Sequence, residues 1–269
     1  MKLAAIDLDG TLLNSQGEIP EENLQALRKF DAQGGIVVLA TGRSIHSATE
    51  AFAKLAINGY TLASNGAYVA RIEQGEIAEV LNGFTIPTAI VETTFAIAKA
   101  EKVTVVASRA EKDDRIVFDP ASAEVNSPYY AQFKLADTSP KELIGHLKNA
   151  DISYFKLAFN SPDVKKLAAL RSAFNVKKIT STYSAKYWLE VMADGVNKGA
   201  ALKFLLDYLK IAKSEIIAFG DQENDLEMLQ FAGTSIAMEN AVTLIRQTAA
   251  KTTSSNDEAG VAAVINTYL

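Results

Sequence analysis

Short segments that are apolar on both faces are the feature that most limits the folds open to this chain of 269 residues. Residues 36–40 read IVVLA, and a β-branched run with no polar face is typical of a strand inside a parallel sheet. Residues 2–6 and 216–219 are further short apolar strands, and helix-like spacing of apolar residues comes after each of the three. Because parallel neighbours need crossover connections, this order predicts a doubly wound, mainly parallel α/β sheet.

The pattern changes in the middle of the chain. Residues 84–187 mix helix and strand signals irregularly and concentrate aromatic side chains, which is typical of an α+β layer. We therefore predict one α/β core built from residues 1–83 and 188–269, with residues 84–187 inserted as a second domain.

Composition excludes several classes of function. The net charge of −5 and the lack of a basic cluster argue against nucleic-acid binding, and no apolar run is long enough to span a bilayer. The absence of cysteine excludes disulfides and thiolate chemistry. We expect a cytoplasmic protein without a membrane partner, and the oligomeric state stays open, a monomer included. His46 and His146 lie in helix-like sequence without acidic neighbours and are interpreted as ordinary helix positions.

Four polar segments follow predicted strands or begin predicted helices. They are residues 7–11, 41–43, 197–199 and 220–225. Ligands of open α/β sheets bind outside the carboxyl ends of the strands, so we expect these segments to meet at one crevice.

Acidic side chains dominate two of these segments. Asp7 and Asp9 are two residues apart, so an extended chain would project both from one face, and Asp221 adds a third carboxylate. Three carboxylates at one sheet edge repel each other and favour a hard cation with oxygen ligands, for which Mg²⁺ is the natural choice.

The other segments offer groups that suit phosphate oxygens. Thr41 supplies a hydroxyl, Gly42 an unobstructed N–H and Lys198 a positive charge. Asp225 can hold Lys198 or a metal-bound water. Together with the carboxylates, these are the groups that phosphoryl transfer through an aspartyl-phosphate requires.

Each segment taken alone also has an ordinary structural interpretation. The pattern DxDG occurs in calcium loops, but an EF-hand needs glycine at its sixth position, where this chain has Leu12, and a preceding helix. Residues 41–43 can be a simple strand-to-helix turn, Lys198 a solvated helix residue, and residues 221–225 a helix cap. The order of all four segments at matching boundaries favours the phosphoryl-transfer site.

The segments IDLDGTLL, LATGR, GVNKGAAL and GDQENDLEML resemble the four motifs of the haloacid dehalogenase superfamily, specifically its Cof-like class IIB phosphatases. Weaker matches are SNGA at 64–67, IAMENA at 236–241 and SSNDEAGVAAVI at 254–265. The resemblance implies a Rossmann-like catalytic core with an inserted α+β cap of the C2B type that determines substrate specificity.

The resemblance also implies a role for each motif residue. Asp7 would be the nucleophile that becomes phosphorylated, and also a magnesium ligand. Asp9 would protonate the leaving alcohol and then activate water, while its backbone carbonyl binds the metal. The remaining residues would bind phosphate or substrate (Thr41, Gly42, Lys198, Asn224), complete the metal site (Asp221) or support the site from outside (Asp225, Asn65).

The function predicted from these features is a Mg²⁺-dependent phosphatase that hydrolyses small phosphorylated metabolites, such as sugar phosphates, through an aspartyl-phosphate. The alternatives are a receiver-like phosphoacceptor and a catalytically silent phosphate-binding protein. The sequence does not rank the inserted-domain residues that could contact the substrate, which include Arg109, Arg115, Tyr129 and Lys156.

Overall fold

The computed structural model describes residues 1–109, 113–118, 138–149 and 151–269. These residues form two compact units, one of Met1–Gly83 with Val196–Leu269 and the other of Phe84–Gly195. Among the described helices, none is long and apolar enough to cross a membrane.

Strands and helices alternate along most of the described chain. The strands are β1 Leu3–Ile6, β2 Ile36–Ala40, β3 Gly59–Ala63, β4 Tyr68–Glu73, β5 Glu76–Gly83, β6 Thr104–Ser108, β7 Asp113–Ile116, β8 Lys156–Asn160, β9 Thr182–Ala185, β10 Trp188–Val191, β11 Ile216–Gly220, β12 Thr234–Ala237 and β13 Lys251–Thr252. The helices are α1 Glu21–Ala32, α2 Ile45–Leu55, α3 Thr88–Ala100, α4 Pro140–Lys148, α5 Val164–Val176, α6 Lys198–Leu209, α7 Leu226–Phe231, α8 Thr243–Thr248 and α9 Gly260–Ile265.

The first unit contains an eight-stranded sheet in the order β13-β12-β11-β1-β2-β3-β4-β5. The strands from β13 to β3 pair in parallel, and β4 and β5 add an antiparallel hairpin at one edge. The carboxyl ends of β11, β1 and β2 therefore lie side by side at one edge of the sheet.

Alternate residues of the central strands pack on opposite faces of this sheet. In β1, Ala4 and Ile6 join one apolar cluster while Leu3 and Ala5 join the other, and all four are fully buried. Burying one large aliphatic side chain stabilises a fold by about 1.5–3 kcal/mol, which explains why strands with two apolar faces occupy the middle of the sheet.

The second unit contains a five-stranded antiparallel sheet in the order β7-β6-β8-β10-β9. One face carries an apolar cluster that includes Phe95 of α3, Phe159 of β8 and Phe174 of α5. The predicted fold class, a mainly parallel α/β sheet with an inserted α+β region, is confirmed.

The boundary between the units differs from the predicted one at residue 188. Trp188–Val191 pairs antiparallel with Lys156–Asn160, so this strand is part of the second unit, and the first unit resumes at Val196. A short apolar strand has the same sequence pattern in either sheet, and only its pairing partner determines where it belongs.

Candidate active site

Loops at the carboxyl edge of the eight-stranded sheet carry the predicted site residues of the first unit. Asp7 directly follows β1, Thr41 follows β2 and Asp221 follows β11, while Lys198 is the first residue of α6. The strand order places β1 between β11 and β2, which brings residues separated by more than 200 positions to one place.

Lys198 links two carboxylates at the centre of this edge. Its Nζ lies 2.6 Å from Asp7 Oδ1 and 2.6 Å from Asp225 Oδ1, and its side chain is fully buried. Burial lowers the pKa of Lys198, but the carboxylates of Asp225 and Asp7 outweigh that effect and raise it above its ordinary value. The ammonium therefore stays charged.

Asp225 supports the turn that follows β11. Its Oδ1 accepts from Lys198, and its Oδ2 accepts from the backbone N–H groups of Asp221 at 2.9 Å and Gln222 at 3.0 Å. Gly220 permits this arrangement, because a Cβ added there would lie 2.5 Å from the Cβ of Asp225. Both oxygens are engaged, so Asp225 orients neighbouring groups.

Asp221 is held by the loop that follows β1. Its Oδ1 accepts from Thr11 Oγ1 at 3.1 Å, and its Oδ2 accepts from Gln222 Nε2 at 3.1 Å. Gly10 has a φ of +75°, and a Cβ added to it would lie 2.5 Å from Asp221 Oδ2. This glycine therefore allows the two loops to approach each other.

Three buried carboxylates, those of Asp7, Asp221 and Asp225, have oxygens within 4.8 Å of one another. Burial raises the pKa of Asp7 to about 7, with the charges of Asp225 and Asp9 adding to the effect and Lys198 opposing it. Burial, Asp7 and Asp225 likewise raise the pKa of Asp221. When all three carboxylates are ionised, the one ammonium leaves two negative charges uncompensated, and a set of oxygen donors with that charge fits a hard divalent cation.

Asp9 differs from these carboxylates in its exposure and its partner. Its side chain is 52% exposed, and it accepts two hydrogen bonds from Arg43, from Nε to Oδ2 at 2.7 Å and from Nη2 to Oδ1 at 2.5 Å. Sequence reasoning assigned no role to Arg43. The signal that could have found it is its position just after β2, the strand that neighbours β1.

Thr41, Asn65 and Asn224 form a connected polar group beside β2. Thr41 is fully buried, its Oγ1 accepts from the N–H of Arg43 at 3.0 Å, and its carbonyl accepts from the N–H of Asn65 at 2.9 Å. Asn65 Oδ1 accepts from Asn224 Nδ2 at 3.0 Å. Gly42 lies in the same loop, between Thr41 and Arg43. Asn65 therefore joins the loop after β2 to the loop after β11.

Two asparagines hold the loop after β1. They belong to the segments IAMENA at 236–241 and SSNDEAGVAAVI at 254–265, to which the sequence assigned no role. Asn240 Nδ2 donates to the carbonyl of Gly10 at 2.8 Å, and Asn256 Nδ2 donates to the carbonyl of Leu13 at 2.8 Å. The two asparagines also contact each other, from Asn256 N to Asn240 Oδ1 at 3.1 Å. We call Asn240 and Asn256 the asparagine clamp.

The candidate substrate contacts of the second unit have partners of their own. Lys156 Nζ lies 2.6 Å from Glu190 Oε1 in a buried ion pair, and Arg109 Nη2 lies 3.1 Å from Asp114 Oδ1. Tyr129 lies outside the described residues. His146 Nδ1 lies 3.0 Å from Asp114 Oδ2, so the expectation that this histidine has no acidic neighbour is wrong. The two residues are 32 positions apart, a separation that no local pattern reveals.

A family model of haloacid dehalogenase-like hydrolases matches residues 4–265. The chain therefore belongs to this family, and the family predicted from the four motifs is confirmed.

Individual relatives match the chain along its whole length. It is 28% identical to the 5-amino-6-(5-phospho-D-ribitylamino)uracil phosphatase YitU of Bacillus subtilis strain 168, over 99% of this chain and 97% of that protein. It is 29% identical to a haloacid dehalogenase-like hydrolase of known structure from Bacillus subtilis, with a TM-score of 0.87 and complete coverage of both chains. A sugar phosphatase of subclass IIB is 20% identical, with a TM-score of 0.82 over 100% of this chain and 99% of that one, which shows a shared fold.

Proposed function

We propose that this protein is a Mg²⁺-dependent phosphatase that hydrolyses small phosphorylated metabolites through an aspartyl-phosphate. The observation that carries the proposal is the buried Asp7–Lys198–Asp225 chain beside Asp221 at the carboxyl edge of the sheet. The family and the relatives named as phosphatases support the same enzyme class.

In the first proposed step, Asp7 attacks the phosphorus of the substrate. A new bond forms between a carboxylate oxygen of Asp7 and phosphorus, while the ester bond to the leaving group breaks. The electron pair of that bond stays on the leaving oxygen, which takes a proton from Asp9. Lys198 binds Oδ1 of Asp7 and so fixes the orientation of the attacking carboxylate.

In the second proposed step, water attacks the phosphorus of the aspartyl-phosphate. The water gives a proton to the carboxylate of Asp9, and the bond from Asp7 to phosphorus breaks. Inorganic phosphate leaves, and both aspartates return to their starting protonation states.

The remaining polar groups would bind the transferring phosphoryl group. We assign this role to the hydroxyl of Thr41, the N–H of Gly42, the ammonium of Lys198 and the amide of Asn224. Mg²⁺ held by Asp7, Asp221 and the backbone carbonyl of Asp9 would neutralise negative charge on the carboxylates and on the phosphoryl oxygens.

We assign substrate selection to the second unit, Phe84–Gly195. The phosphorylated ribitylaminouracil named for YitU and the sugar phosphate named for the subclass IIB relative are both small phosphate monoesters. We propose substrates of this size class and a cytoplasmic location, with neither nucleic acid nor membrane as a partner.

The proposal is tested with p-nitrophenyl phosphate as the probe. We expect steady turnover with Mg²⁺, its loss with EDTA, and no turnover in Asp7→Asn. Asp207→Asn, which alters an exposed carboxylate paired with Lys203, is the matched control and should retain full activity. If the wild-type protein shows no metal-dependent turnover, the proposed phosphatase activity is refuted. A stable phosphoprotein without turnover would favour a receiver-like phosphoacceptor.

A further inference from the structure

We infer that Thr11 and Gln222 are positioning residues, which orient the carboxylate of Asp221 for a divalent cation. The inference rests on the proposed function, in which Asp221 is a metal ligand. It adds two residues to which neither the motifs nor the proposed steps assign a role.

Asp221 accepts one side-chain hydrogen bond on each carboxylate oxygen. Its Oδ1 accepts from Thr11 Oγ1 at 3.1 Å, and its Oδ2 accepts from Gln222 Nε2 at 3.1 Å. Donors on both oxygens determine the direction and the plane of the carboxylate. A carboxylate has about four acceptor sites, so these two contacts leave about two sites for a cation.

Both donors are neutral, which distinguishes Asp221 from the other two carboxylates of the cluster. Lys198 forms ion pairs with Asp7 and Asp225, whereas no cationic side chain in the described part of the chain pairs with Asp221. A cationic partner would compete with a metal ion for the same oxygens. A hydroxyl and an amide instead orient the carboxylate and leave its negative charge for the metal.

Thr11 is itself held by the loop after β1. Its side chain is fully buried, and its N–H donates to the carbonyl of Leu8 at 3.3 Å. The next N–H, that of Leu12, donates to the carbonyl of Asp7 at 3.2 Å. The hydroxyl that orients Asp221 therefore belongs to the same hydrogen-bonded loop as Asp7, which fixes the two proposed metal ligands relative to each other.

Support of the fold alone does not explain the contact between Thr11 and Asp221. The backbone of Asp221 is already fixed, because its N–H donates to Asp225 Oδ2 at 2.9 Å and its carbonyl accepts from the N–H of Val242 at 2.9 Å. What the hydroxyl adds is the rotation of the side chain. Losing the hydrogen-bond partner of a metal ligand typically weakens metal affinity about 10–100-fold.

Metal affinity measures this orientation without turnover. Mn²⁺ is the probe, because it shares the preference of Mg²⁺ for oxygen ligands and the paramagnetic resonance signal of the free ion reports binding. We expect Thr11→Val to raise the Kd for Mn²⁺ about tenfold or more, because the donor is lost. Thr11→Ser keeps the hydroxyl and should stay within about threefold of wild type.

Two further variants complete the experiment. Gln222→Met removes the second donor from a partly exposed position and should raise the Kd about threefold or more. Thr61→Val is the matched control, because it removes an equally buried hydroxyl that donates to the carbonyl of Leu39 at 3.0 Å. This control should lose stability as Thr11→Val does, with a Kd within about twofold of wild type. The Mg²⁺ concentration for half-maximal turnover should follow the same order.

An unchanged Kd in both Thr11→Val and Gln222→Met would overturn the inference, and so would an equal rise in Thr61→Val. Binding as weak in Thr11→Ser as in Thr11→Val would also overturn it, because the hydroxyl would then not be the orienting group. The failure of the proposed function looks different, because the wild-type protein would then bind no Mn²⁺ and show no turnover with Mg²⁺. Urea unfolding checks that each variant is folded.

Discussion

At the scale of single residues, the site combines buried charges that differ in how they are compensated. Lys198 has two carboxylate partners and no exposure, whereas Asp221 has hydroxyl and amide donors. A buried charge that loses its partner is strongly destabilising, so substitutions of these side chains should change the stability of the fold as well as the proposed chemistry.

Replacing Lys198 with methionine should destabilise the protein and abolish its activity. The change leaves Asp7 and Asp225 without their shared cation, and breaking a buried pair costs about 3–5 kcal/mol. Urea unfolding of wild type and variant measures the difference. Lys203→Met, which breaks an exposed ion pair, is the control and should change stability by less than about 1 kcal/mol. Similar losses in both variants would contradict the prediction.

The raised pKa of Asp7 predicts a pH dependence in metal-free protein. Burial raises this pKa to about 7 in the folded chain from an ordinary value of 3.8, so the folded state binds more protons than the unfolded state between these values. The free energy of unfolding should therefore fall as the pH rises from about 4 to 7. Urea unfolding in EDTA at pH 5 and pH 8 measures the change.

Asp7→Asn provides the comparison for this effect. The variant lacks the titrating group, so its stability relative to wild type should increase between pH 5 and pH 8 in EDTA. Added Mg²⁺ should restore wild-type stability at pH 8, because cation binding favours the ionised carboxylates. A constant difference between variant and wild type at both pH values would refute the assignment.

At the scale of elements, the carboxyl ends of three adjacent strands determine which loops meet. The periodicity of the sequence predicted β1, β2 and β11, because apolar runs with two buried faces are a local signal. The rule for ligand sites in open sheets then predicted the meeting of the loops. What local patterns do not contain is the neighbour order β11-β1-β2, and the pair of Asp9 with Arg43 depends on that order.

One predicted helix also differs in detail. The pattern over residues 224–232 predicts a single helix, but a 3₁₀ turn of Glu223–Asp225 precedes α7. The carboxylate of Asp225 binds the N–H groups of residues 221 and 222, which tightens the chain into this turn. A side chain used for the site has thus overridden a local helical preference.

Gly10→Ala tests how closely the loops after β1 and β11 must approach. The alanine would have to adopt a positive φ, and its Cβ would lie 2.5 Å from Asp221 Oδ2. We therefore expect the variant to lose stability and to need at least about a tenfold higher Mg²⁺ concentration for half-maximal turnover. Gly34→Ala separates the two effects, because Gly34 has a φ of +84° and a Cβ there meets no described atom within 4 Å. Gly34→Ala should lose about 1 kcal/mol of stability while keeping its activity. Equal activity in both variants would contradict the prediction.

At the scale of the whole molecule, contacts distant in sequence stabilise the loop that carries Asp9. The asparagine clamp binds the carbonyls of Gly10 and Leu13, and Asp257 accepts from the N–H of Ser15 at 2.7 Å. The two ends of the chain therefore hold each other beside the site.

Asn256→Ala should weaken both the fold and the turnover. The carbonyl of Leu13 would lose its buried donor, which costs about 1–3 kcal/mol, and the loop after β1 would lose one of its anchors. Unfolding by urea and kcat with p-nitrophenyl phosphate measure the two effects. Asn266→Ala, at an exposed position near the end of the chain, is the control and should match wild type. Unchanged kcat in Asn256→Ala would show that the clamp does not act on the site.

The placement of β1 between β2 and β11 has a consequence for the newly made protein. A ribosome that has produced residues 1–195 has already made Asp7, Asp9 and Thr41, but not Lys198, Asp221 or the clamp. One edge of β1 therefore stays unpaired until its partner β11, more than 200 residues later in the chain, has been synthesised. Such non-local pairing is slow to form. The proposed site is therefore complete only after residue 256 has been synthesised, and a product terminated before Lys198 would contain Asp7, the proposed nucleophile, without its buried ion-pair partner.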